Sequence, residues 1–220
     1  MRPGSSDQAM ERLWEGLAVK EEAYKLGLPE QFVQAMAIFD SIWQLYPDAR
    51  STVARALLHK ADCLIGLHDY ERASDTLRRV ASEFESDDPE AGAIGYLMLG
   101  RMASVVDNNQ EDARTLFQRA IEYARDPVQQ AEAQIWMAYS WFLEGEFPQA
   151  QEAFSVLLES SPIDDIRLHA LDMVGASYVL QGKLKEAESI IATFRERFAE
   201  VLPQDQVPDL NTSVLLGMIK

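Results

Sequence analysis

Apolar residues recur along the chain at helical spacing, and the breaks between the runs fall at helix-capping residues, which predicts helices throughout. The pattern also repeats. Segments aligned on Ala35, Ala73, Ala113, Ala150 and Ala187 are separated by 38, 40, 37 and 37 residues. Four residues beyond each alanine stand Phe39, Leu77, Phe117, Phe154 and Ile191, and three further on Ile42, Val80, Ala120, Leu157 and Phe194. About twelve residues before each alanine, with one extra in the third segment, all residues are small: Ala23, Ala61, Gly100, Ala138 and Gly175. Three residues before the alanines lie Phe32, Tyr70, Gln110, Phe147 and Leu184, so the third segment alone lacks a bulky residue there. Each segment reads as two amphipathic helices, A and B, joined by a short turn, and five segments imply ten helices.

The small and large positions share one physical reason. Two antiparallel helices approach closely only where a small side chain faces the partner backbone, and bulky neighbours must then fill the space beside it. Asp88-Pro89 and Asp126-Pro127 place an acceptor at the N-cap and proline at the first helical position, opening the A helices of the third and fourth segments. Gly27, Gly66, Gly145 and Gly182 are expected at the A-to-B turns, where the chain needs positive φ; Asn108-Asn109 takes that place in the third. A pair cannot bury both of its faces alone, so the segments are expected to stack. The first helix should be extended over residues 6–26, and residues 208–219, with Leu210, Val214, Leu215 and Met218, should cap the far end.

Composition narrows the classes. With 220 residues and 47% apolar content, the chain can bury a core, which excludes intrinsic disorder. A net charge of −16 is opposite to the footprint of a phosphate-backbone binder, so nucleic acid is not an expected partner. Cys63 stands alone and cannot form an internal disulfide, and no stretch approaches the roughly 18 apolar residues of a membrane span. The opening Met-Arg-Pro-Gly-Ser-Ser-Asp has no apolar core of a secretory signal, so the expectation is a cytoplasmic chain, or a periplasmic one if a signal has been removed.

Candidate chemistry is sparse. Gly182-Lys183-Leu184 lacks the spacing and hydroxyl of a phosphate loop, and Ser177 lacks the second glycine of a nucleophile elbow and falls mid-helix. Residues 107–118 miss the glycine and terminal glutamate of a calcium loop. His59 and Cys63 lie one turn apart with His68 beyond, a spacing that reads as a small buried thiol beside a partly exposed imidazole. The carboxylate pairs Glu21-Glu22, Asp87-Asp88, Glu111-Asp112 and Asp164-Asp165 are adjacent in sequence and so diverge on a helix. No catalytic residue, cofactor or metal is expected.

The residues resemble the tetratricopeptide repeat family, most closely over residues 131–162, where Ala138, Gly145, Phe147, Ala150, Phe154 and Pro162 stand in the family's places. The resemblance covers about residues 16–200 and implies an all-α fold: a right-handed α-solenoid of about five helix-turn-helix repeats with a C-terminal capping helix. The expected organisation is one domain over 1–220, with repeats at 16–48, 49–87, 88–126, 127–161 and 162–200 and a cap at 203–220. The period exceeds the family's usual 34, so connections or helix ends must be longer. Tyr46-Pro47-Asp48-Ala49, followed by an Ala-rich helix, also resembles bacterial envelope-associated members. Members that grip a chaperone's terminal carboxylate use Lys and Asn in the first repeat, Asn in the second, and Lys and Arg in the third. Lys20 and Arg101 fit, but Tyr24, Asp62 and Leu97 fill the other places, and Asp62 would repel a carboxylate.

In this family helix A of each repeat lines a concave wall. The resemblance therefore places Lys20, Tyr24, Leu58, Asp62, Leu97, Arg101, Ile135, Tyr139, Phe142, Asp172 and Val179 toward the groove, some of them packing on neighbouring A helices. Trp136 and Trp141 are expected in the core, and Trp14 exposed near the N-terminal end. The implied function is a non-catalytic scaffold or adaptor that binds a peptide or helix of a protein partner. The acidic exterior would steer a basic partner. The alternatives are a self-assembling homo-oligomeric array and a component of a bacterial cell-envelope machine.

Overall fold

A computed structural model of the chain describes residues 5–161 and 163–198. Ten helices run through them: α1 (Ser5–Leu26), α2 (Pro29–Leu45), α3 (Arg50–Gly66), α4 (Tyr70–Glu83), α5 (Pro89–Val105), α6 (Gln110–Tyr123), α7 (Pro127–Leu143), α8 (Phe147–Ser160), α9 (Asp164–Leu180) and α10 (Leu184–Phe198). No strand occurs among the described residues. The pairs α1/α2 through α9/α10 are the five expected repeats. Their long period has a plain source, since α3, α5, α7 and α9 are each 17 residues long. The expected C-terminal cap at 203–220, Pro162, and the side chains of Ile191 and Phe194 lie outside what is described.

Repeat-defining positions are where close helix packing needs them. Ala35, Ala73, Ala113 and Ala150 have no exposed surface, Ala187 is buried, and Phe39, Leu77, Phe117 and Phe154 fill the space beside the first four. At Gly100 a Cβ would come within 2.5 Å of the Phe117 ring, so only glycine lets α5 reach α6 there. Gln110 stands in the aromatic position of the third repeat and is buried. Its Oε1 accepts from the Ser104 hydroxyl at 2.7 Å and its Nε2 donates to the Ser104 carbonyl at 3.0 Å, so it fills the place with its polar atoms paired.

Caps set the helix boundaries. Asp88 Oδ1 accepts from the Ala91 N–H at 3.0 Å and Asp126 Oδ1 from the Val128 N–H at 3.0 Å, as the Asp-Pro pairs predict. Gly27, Gly145 and Gly182 have φ of 64°, 77° and 72°, and Asn108 makes the third turn at 52°. The second turn corrects the sequence reading. Gly66 is still in α3, and His68, at φ 60°, is the left-handed residue, its Nδ1 2.9 Å from the Tyr70 hydroxyl. Trp14 is exposed, and Trp136 and Trp141 are half-buried rather than fully in the core.

The chain divides into two compact units, Met1–Ala133 and Gln134–Lys220, with the boundary inside α7. In the first, α3 packs on α1, α2, α4 and α5, so the A helices α1, α3 and α5 form a layer of their own. In the second, α9 packs on α8 and α10. Expected as one domain, the chain is described below unit by unit.

Candidate functional site

The A-helix layer of the first unit opens onto a concavity of about 470 Å³. It is lined by Lys20 of α1; by Arg55, Leu58, His59 and Asp62 of α3; by Glu90, Ala91, Ile94, Leu97, Met98 and Arg101 of α5; and by Gln129 and Glu132 at the start of α7. The spacings within α3 and α5 are those of one helix face, so the wall is built from successive turns of each helix. Among the described residues, none from a B helix lines it.

One side of the wall is a closed polar network. Lys20 Nζ lies 2.6 Å from Asp62 Oδ2 and 3.4 Å from His59 Nδ1. The Tyr24 hydroxyl donates to Asp62 Oδ1 at 3.0 Å and to the Asp62 carbonyl at 3.1 Å, while its ring meets Phe32 edge-on at 4.8 Å. Burial, aided by the Asp62 charge, raises the Tyr24 phenol well above its ordinary range. Burial and the Lys20 ammonium push the His59 imidazolium down to about 4, so His59 is neutral at pH 7 and its Nδ1 can accept from Lys20. Cys63 is fully buried beneath and its thiol is pushed up to about 12, chiefly by burial, which leaves it unreactive.

Across the floor, Ile94 and Met98 are half-buried, whereas Leu58 and Leu97 are only 5% and 6% exposed. The last two are packed side chains that close the floor rather than free anchors. On α3, Arg55 Nε lies 3.2 Å from Asp88 Oδ2 and its Nη2 4.0 Å from Glu90 Oε2. Gln129 Nε2 donates to Glu90 Oε1 at 3.0 Å. Arg101 is exposed but interacts with its surroundings.

Of the residues singled out in the sequence, Lys20, Leu58, Asp62, Leu97 and Arg101 come together around this concavity, and Tyr24 adjoins it through Asp62. Ile135, Tyr139, Phe142, Asp172 and Val179 do not line it. They belong to the second unit, where Tyr139 stacks on Phe142 at 5.8 Å and 12°, and Phe142 meets Phe147 edge-on at 5.6 Å. Phe142 is 7% exposed, so truncating it would measure packing more than binding. Burial raises the Asp172 carboxyl above its usual range, with His169 opposing. Sequence reasoning missed Arg55, His59, Glu90, Ala91, Ile94, Met98, Gln129 and Glu132 as wall residues. The signal was present in the helical period, since most lie one turn from a position already named.

Two negatives hold among the described residues: no group of three or more His, Cys, Asp and Glu side chains could hold a metal ion, and no helix is long and apolar enough to cross a membrane. Residues 29–94 match the tetratricopeptide repeat family. MamA is similar in structure at 19% identity, with 88% of this chain and 97% of that chain covered and a TM-score of 0.56. A Podosopora anserina protein described as a kinesin light chain, built of nearly identical TPR-like repeats, has 13% identity, covers 92% and 100%, and has a TM-score of 0.65. BtubC (BKLC) from P. vanneervenii has 14% identity, covers 94% and 97%, and has a TM-score of 0.56. At these identities the likeness is one of fold: an all-α tetratricopeptide-type solenoid. No curated protein matches the chain in sequence.

Proposed function

We propose that this chain, with its tetratricopeptide-repeat fold, is a non-catalytic scaffold that holds a segment of a protein partner in the concavity of α1, α3, α5 and α7. Tetratricopeptide repeats generally mediate protein–protein interaction through extended concave surfaces and are typically not enzymes, which supports this class. The observation that carries the site is the floor of half-buried Ile94 and Met98 within a wall whose charged groups are largely fixed by one another. Such a wall gives an apolar anchor a place to bury without reorganising the polar groups around it.

The test uses the purified chain and a phage-displayed library of random dodecapeptides. Selected peptides are made synthetically and titrated against Met98→Gln, which removes apolar floor at nearly constant volume, and against Ala37→Glu on the exposed face of α2. Affinity reduced about fivefold or more by the first and unchanged by the second supports the reading, given that truncation at a central anchor costs about 1–2 kcal/mol. The reverse order would move the binding surface to the B helices.

A further inference from the structure

The charges around the concavity are not equally engaged. On the α1/α3 side every charged group has a partner: Lys20 is held by Asp62 at 2.6 Å, Asp62 also accepts from Tyr24, and Arg55 is held by the buried Asp88 at 3.2 Å. The α5/α7 side differs. Glu90 takes one amide N–H from Gln129, and Arg55 stands only at 4.0 Å from its other oxygen. Glu132, three residues along α7 from Gln129 and so on the same face, has no ion pair or hydrogen bond among the described residues. Gln129 spends its N–H on Glu90 and leaves Oε1 buried without a donor. Three buried amide atoms lack a partner among the described residues, in Gln31, Gln129 and Gln151, and of these side chains only Gln129 lines the concavity.

This corner therefore offers acceptors in excess of donors, at the edge of an apolar floor. We propose that the concavity selects basic segments: a lysine or arginine of the partner places its charged head among Glu90, Glu132 and Gln129, and its stem and an adjacent apolar residue lie on Ile94 and Met98. The inference rests on the groove reading above and adds the chemistry of the occupant. An ammonium brings three N–H donors and a guanidinium five, with no acceptor to leave unpaired, so either matches a donor-poor corner. The aliphatic stem suits Ile94 and Met98, since long basic side chains bury their carbons while the head stays with polar groups. An acidic occupant would meet Glu90 and Glu132 together, because Lys20 and Asp62 neutralise each other and Arg55 is held by Asp88. Arg101, the other cation of the wall, is already engaged and stands about three helical turns along α5 from Glu90. The whole chain, at −16, favours the same sign of partner.

The peptides selected as above decide it. The expected result is enrichment of Lys or Arg beside an apolar residue. Glu132→Gln should then weaken a selected peptide about five- to tenfold while the thermal unfolding midpoint stays put, because Glu132 is exposed and unpaired among the described residues. Replacing the peptide's lysine by norleucine, or its arginine by citrulline, should cost about as much. Combining that peptide with Glu132→Gln should add little, the mark of a direct pair in a double-mutant cycle. Peptides lost on Met98→Gln that carry no basic residue, or are indifferent to Glu132→Gln, would overturn the cation assignment and leave the groove standing. Peptides indifferent to both variants, or no selection at all, would overturn both.

Discussion

At the scale of single residues, the repeat is written in the places where size is not negotiable. Ala150 on α8 has no exposed surface, and its neighbours Phe154 and Leu157 are buried beside it. Ala150→Arg should therefore lose more than ~2 kcal/mol through overpacking and charge burial, as read by chemical denaturation; a loss within ~0.5 kcal/mol, the ordinary surface range, would refute the register. Gly100→Ala should cost roughly 1–3 kcal/mol because the Phe117 ring is fully buried and cannot step aside. These positions were legible in sequence because smallness recurs there in every repeat. The wall was legible only in part. A register names one or two positions per helix and so found Leu58 and Leu97, whose side chains close the floor, but passed over Ile94, Met98 and Glu132, whose roles depend on which neighbour covers them. His59 shows what burial adds. Its folded value of about 4 lies below its ordinary 6.5, so the stability tied to the neutral ring is complete above pH 6.5 and is lost as pH falls from 6.5 toward 4. The loss should be ~2 kcal/mol after allowing for partial exposure, and His59→Gln should flatten that part of the stability profile.

At the scale of helices, termini carry the specificity that periodicity cannot. The Asp-Pro pairs announced α5 and α7 correctly, since an acceptor at the N-cap followed by proline has few other uses. The turn after α3 was misread because glycine is a good but not an obligatory left-handed residue. Gly66 continues the helix while its neighbour His68 turns the chain, stacked edge-on with Tyr70 at 5.9 Å. The two aspartate caps should not be equal. Asp126 caps one N–H, and Asp126→Ala should cost about 1 kcal/mol. Asp88 also accepts from the Ser51 hydroxyl at 2.5 Å and from Arg55 at 3.2 Å, so it links α3 to α5, and Asp88→Ala should cost about 2–3 kcal/mol. Burial works against its charge, yet the bonds from Ser51, the Ala91 N–H and Arg55 outweigh it and hold the carboxyl below its ordinary 3.8. A depressed carboxyl stabilises the fold above the unfolded value, so the advantage over Asp88→Asn should be complete above pH 3.8 and vanish as pH falls through the lower folded value. Urea midpoints of the two proteins between about pH 6 and 2.5 provide the check.

At the scale of the whole molecule, the net charge of −16 and the corner at Glu132 should act on different steps of the same encounter. A field summed over many exposed carboxylates acts at a distance, before contact, and salt screens it over about 8 Å at physiological ionic strength. A carboxylate that touches the bound cation acts after contact and governs escape. Glu11, Glu22 and Glu71 are exposed on α1 and α4 and do not line the concavity. Changing all three to glutamine reduces the net charge from −16 to −13 while leaving the wall intact. For a lysine-bearing peptide selected on this chain, the triple variant should associate about two- to threefold more slowly at low salt, with dissociation unchanged, and the difference should fade on adding salt. Glu132→Gln should instead speed dissociation and change association little. Stopped-flow traces at two ionic strengths separate these outcomes. If the triple variant altered dissociation and Glu132→Gln altered only association, the acidic exterior would be holding the partner and the concavity merely attracting it, and the binding surface would have to be sought among the exposed carboxylates.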